Sequence, residues 1–94
     1  MASALVGRIR AREKRAPGTV GFVVTVYFSG ADVIPEVEGV PYEIDVAVPE
    51  GYSLGTFKSA LSTGVQALAG ELGLVVVPAD IDVPSYEAAG GPPP

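Results

Sequence analysis

The sequence predicts an α+β fold: a three- to four-stranded mixed sheet with one amphipathic helix packed on one face, in β-β-α-β order, with flexible tails. A helical stripe, two alternating runs and a short apolar run predict it. Across Ser53 to Leu72, the residues Leu54, Phe57, Leu61, Val65, Leu68 and Leu72 recur at steps of three and four, one stripe of a helix. Val20, Phe22, Val24, Val26 and Phe28 alternate, and so do Tyr42, Ile44, Val46 and Val48, the pattern of strands with one buried face. Leu74 to Val77 is a continuous apolar run, the expected buried strand after the helix.

Taken in order, Met1 to Gly18 opens with Leu5 and Ile9 four apart, then turns basic and closes at Pro17-Gly18. A lone helix this short is marginal in water. Residues 1–18 are therefore expected to be a flexible basic arm that orders on a partner, with a solvated tail as the alternative. Val20 to Phe28 is the strongest strand. Its second face, Gly21, Val23, Thr25 and Tyr27, is semi-apolar, which suits a central strand or one covered on both sides. Ser29 to Pro41 is a loop punctuated by Gly30, Pro35, Gly39 and Pro41, and Val33, Ile34 and Val37 give it apolar side chains to dock. Tyr42 to Val48 is a half-buried strand with Glu43, Asp45 and Ala47 outward. Pro49-Glu50-Gly51 turns the chain, Ser53 caps the helix, and Gly73 suits its left-handed end. So tight a link after the helix places the next strand parallel to the second one, across a right-handed crossover. Pro78 stops that strand, and Asp80 to Tyr86 is a short edge strand broken at Pro84. The expected organisation is a basic arm over 1–18, one domain over 19–86 and a Gly/Pro-rich tail over 87–94.

Composition narrows the chemistry. The chain has 94 residues, no Cys and no His, so Ser-His and Cys-His nucleophilic pairs and ordinary zinc sites are excluded. Neither a phosphate-cradling Gly-x-x-x-x-Gly-Lys nor a Gly-x-Gly-x-x-Gly after a strand occurs. The acid pairs Glu36 and Glu38, Glu43 and Asp45, and Asp80 and Asp82 read as solvated faces, and no twelve-residue calcium loop is present. The expectation is a protein that is not an enzyme, with no cofactor, no metal and no small-molecule substrate. No apolar run is long enough to span a membrane. The start of the sequence lacks the order of a secretory signal, so synthesis in the cytoplasm is expected.

Charge is divided along the chain. Through Arg15, the five bases Arg8, Arg10, Arg12, Lys14 and Arg15 stand against one acid, a balance of +4; from Ala16 onward, Lys58 stands against ten acids, a balance of −9. An acidic neighbour, including the acidic body of another copy, is one candidate for the arm. Nucleic acid is another, although no aromatic residue is interleaved to stack bases. Only 18% of residues are charged, below the average of about 25%. The outward helix face carries small, uncharged residues where Lys and Glu are usual. Contacts with other copies or other proteins are thus expected at Val23 and Tyr27 on the second sheet face, Val33 and Ile34 in the loop, and Ser59, Thr63, Gln66 and Gly70 on the helix.

Two resemblances add to this reading. The stretch from Tyr42 to Gly91 combines the strand Glu43-Ile44-Asp45-Val46-Ala47-Val48, the Pro49-Glu50-Gly51 turn, an Ala/Leu-rich helix, the Leu74 to Val77 run and the closing Val83-Pro84-Ser85-Tyr86. It resembles small structural proteins of tailed-bacteriophage virions. That resemblance implies a multi-copy, non-enzymatic capsid or tail component, made in the host cytoplasm, with other copies of itself and other virion proteins as partners. Val20 to Leu72, with Gly90-Gly91, resembles the ubiquitin-like β-grasp sulfur carriers, which implies activation at a diglycine carboxylate. Here Pro92-Pro93-Pro94 follows the diglycine, and only Gly73 to Ala89 separates helix from diglycine.

Overall fold

A computed structural model describes residues 2–12 and 17–83. Three long strands, one helix and a short last strand follow in order: β1 (Ser3–Arg12), β2 (Thr19–Ser29), β3 (Tyr42–Pro49), α1 (Leu54–Glu71) and β4 (Ile81–Asp82). The sheet is four-stranded and mixed, in the order β3-β2-β1-β4. β1 and β3 both run antiparallel to β2, and β4 runs parallel to β1. The expected α+β class holds, with one helix on one sheet face. From Thr19 onward the β-β-α-β order also holds, and a further strand precedes it.

That further strand corrects the flexible arm for Ser3–Arg12. The run Arg8-Ile9-Arg10-Ala11-Arg12 alternates with a period of two, and it pairs in order with Thr25, Val24, Val23, Phe22 and Gly21 of β2. The parity of β1 changes midway. Ala4 and Val6 are buried before Gly7, and Ile9 packs against the core after it. A bulge between Val6 and Arg8 makes the change: Val6 pairs with Val26 and Arg8 with Thr25, so Gly7 is the extra residue. Without it, the row that buries Ala4 and Val6 would continue through Arg8 and Arg10.

The core lies between the sheet and α1. From β2 it takes Phe22, Val24, Val26 and Phe28, from β3 Val46 and Val48, and from α1 Phe57, Leu61, Val65 and Ala69. The buried helix row therefore steps by four from Phe57. Leu68 and Leu72 pack at its margin, while Leu54, outside that row, is 43% exposed. Phe22, Tyr52 and Phe57 form an aromatic corner, with Phe22 and Phe57 edge to face at 5.1 Å between ring centroids. Ser53 caps α1 by accepting the Thr56 N–H on Oγ at 3.1 Å. The other end closes with Leu74 N–H donating to Ala69 C=O and Gly73 N–H to Gly70 C=O, with Gly73 at φ 75°.

Leu74 to Val77 forms no strand, which corrects that expectation. The Leu74 N–H is used in the helix cap, the Val76 C=O accepts from Gln66 Nε2 at 3.1 Å, and Pro78 has no N–H. A 3₁₀ turn over Pro78–Asp80 leads instead to β4. β4 lies within the short edge strand expected over Asp80 to Tyr86 and is an edge of the sheet; it runs in the direction of β3, but its pairing partner is β1 on the far side of β2.

Candidate interaction surface

Among the described residues, no helix covers the sheet face opposite α1. Its central column is Gly21, Val23, Thr25 and Tyr27 of β2, all half-buried. On one side stand Leu5, Arg8 and Arg10 of β1, and on the other Glu43, Asp45 and Ala47 of β3, all exposed. The ladders put these residues in rows. Arg10, Val23 and Asp45 share one row, and Arg8, Thr25 and Glu43 the next. Arg10 reaches diagonally across β2 to Glu43, Nη2 to Oε2 at 2.5 Å, with both side chains about half exposed. A shallow depression lies there among Arg10, Val23, Glu43, Ile44 and Asp45. Near the other end, the ring of Tyr27 covers the bulge at Gly7.

The expected contact residues divide between opposite surfaces. Val23 and Tyr27 lie on this open face. Ser59, Thr63, Gln66 and Gly70 are exposed on α1, on the other side of the molecule. Two of these helical groups have internal hydrogen-bond partners: Thr63 Oγ1 donates to the Ser59 C=O at 3.0 Å, and Gln66 holds the segment after the helix. Val33 is a correction. It is 8% exposed and belongs to the core, as does Val37, because turns between Gly30 and Val33 and between Ile34 and Val37 fold the loop back against the sheet. Ile34, at 58% exposed, points away. Of the arm residues, Arg8 and Arg10 are on the open face and Arg12 is in β1; Lys14, Arg15, Gly90 and Gly91 lie outside the described residues. Arg8 and Arg10 came from an alternation that the basic composition of the segment obscured.

A groove of about 520 Å³ runs along α1 between Lys58, Ser59, Ser62 and Thr63 on one bank and Pro78, Ile81 and Val83 on the other. Among the described residues no polar or charged side chain is buried, and no three carboxylates converge in a way that would hold a metal. No described helix is long and apolar enough to cross a membrane. The chain matches no protein-family model, no curated protein and no solved structure.

Proposed function

We propose that this protein is a non-enzymatic assembly component, present in several copies in a tailed-bacteriophage capsid or tail and acting through protein–protein contacts. The observation that carries the reading is the open sheet face. A small domain of this size gains stability by covering such a surface, and this one presents Leu5, Val23 and Tyr27 between charged flanks. The chemistry of the described residues supports the same reading. Catalytic groups are usually tuned by burial and close charge partners, and every described acid and base here is at least partly exposed. The absence of Cys and His from the sequence removes the commonest nucleophile–base pairs.

The test is to purify particles from cells that carry the gene, by density gradient, and to quantify this chain by mass spectrometry against a major capsid protein. Several copies per particle, retained after a high-salt wash, are expected. Particles of normal yield that lack the chain would sink the reading.

A further inference from the structure

Resting on that assembly reading, we infer that the open sheet face is an isologous interface and that its occupant is a second copy of this chain. The warrant is the arrangement of charge. The face is bipolar across the strands: basic along β1 at Arg8 and Arg10, acidic along β3 at Glu43 and Asp45, with the uncharged column of β2 between them.

Consider a two-fold axis parallel to β2, lying above the face. It carries β1 of one copy over β3 of the other and leaves β2 over β2. Row for row, Arg10 of each copy then lies over Asp45 of the other and Arg8 over Glu43, so the Arg10–Glu43 pair within each copy becomes part of a charge network across the contact. Val23, Thr25 and Tyr27 stack on their own counterparts in the dry centre. This is the aligned packing of a β-sandwich, with strands about 30° apart and sheets about 10 Å apart. An axis across the strands would place β1 over β1 and β3 over β3, like charge on like charge, so charge selects the first arrangement.

The same bipolarity argues against other occupants. A nucleic-acid backbone attracted to Arg8 and Arg10 would lie within reach of Glu43 and Asp45. An acidic peptide meets the same repulsion. Gly21 and Ala47 keep one end of the face low. Three strands about 4.8 Å apart and about eight residues long cover roughly 400 Å² in projection. Two stacked copies with side-chain relief would bury on the order of 1,000 Å², the lower end of specific interfaces. The contact is therefore weak and reversible in isolation and is reinforced when many copies are held together.

The experiment is sedimentation equilibrium of the full chain at low and high salt, with two double variants, Arg8→Glu/Arg10→Glu and Glu43→Arg/Asp45→Arg. Wild type should dimerise, and more weakly in high salt. Each variant alone should self-associate at least tenfold more weakly, and an equimolar mixture should dimerise again to within a few-fold of wild type. Recovery on mixing also shows that each variant is folded. A wild type that stays monomeric to millimolar concentration overturns the inference. So does dimerisation that neither variant changes, or variants that remain monomeric when mixed although both melt cooperatively. None of these outcomes touches the presence of the chain in particles, so the assembly reading stands or falls separately.

Discussion

A methyl group added at Gly7 would sit 2.6 Å from Cε2 of Tyr27, closer than carbon atoms approach. Gly7 is thus the point where the backbone takes an extra residue and an aromatic ring fills the space left by the missing side chain. Gly7→Ala should displace Tyr27 from the open face and cost about 1–2 kcal/mol, seen as a lower urea midpoint together with a changed near-ultraviolet tyrosine signal. An unchanged midpoint and spectrum would show that the ring is not held there. Gly64 records a similar approach inside the molecule. A Cβ there would lie 3.1 Å from Ile44 Cδ1, so this glycine lets α1 sit close to β3 rather than to a partner. Close packing at the helix is thus internal at Gly64, while at Gly70, expected as a contact residue, nothing lies within 4 Å. Tyr52, in the aromatic corner, has its phenol pKa raised above the ordinary value of 10.0 because burial penalises the phenolate. The folded state then holds that proton more tightly than the unfolded state, so the contribution is complete below pH 10 and is lost as pH rises through the raised value. Thermal melts of wild type and Tyr52→Phe should differ by a constant amount below pH 10, with the phenylalanine variant gaining relative stability above it. Parallel curves throughout would refute this.

At the scale of elements, α1 was legible because its signals agree. The apolar period, the Ser53 cap and the Gly73 terminator mark the same ends, and the structure starts and stops the helix within a residue of them. Ser53→Ala removes the acceptor for the Thr56 N–H and should cost about 1 kcal/mol, read as a lower midpoint with unchanged cooperativity; no loss would mean that Thr56 or water replaces the cap. β1 was illegible for the converse reason. Its inward parity shifts at Gly7, so no unbroken alternation runs through Ser3–Arg12, and Leu5 and Ile9 imitate a helical step. Only Arg8 to Arg12 kept a clean period, and arginine there suggested a partner rather than a solvent-facing row. Leu74 to Val77 shows a third case. The composition suits a buried strand, and Val76 is indeed buried, yet the Leu74 N–H is used at the helix end and Val76's own C=O accepts from Gln66.

For the molecule as a whole, the described residues form one layer of helix on one layer of sheet, with one core between them and the opposite sheet face uncovered. The core is thin, so its large residues matter disproportionately. Phe57 is fully buried and touches both Phe22 and Tyr52. Phe57→Ala should cost about 3–5 kcal/mol, a large share of the roughly 5–15 kcal/mol that holds a domain together. Circular dichroism should show it partly unfolded at 37 °C, and a fully folded variant at that temperature would contradict a core centred on this ring. One edge of the sheet is guarded against pairing with another strand. β3 carries Glu43 and Asp45 and is bracketed by Pro41 and Pro49, features that discourage edge-to-edge pairing.

By itself the sequence determined the class of the fold, the two alternating strands, the limits of the helix and the absence of Cys and His. Those depend on local periodicity, capping groups and residue inventory, which are properties of short stretches. Tertiary structure alone decided that Ser3–Arg12 joins the sheet, that Val33 turns inward, that the strand after the helix crosses β2 to reach β1, and that Arg8 and Arg10 line up with Glu43 and Asp45. Each of these depends on pairing between segments distant in the chain. One inserted glycine sets which residues share a face, and no local pattern records it.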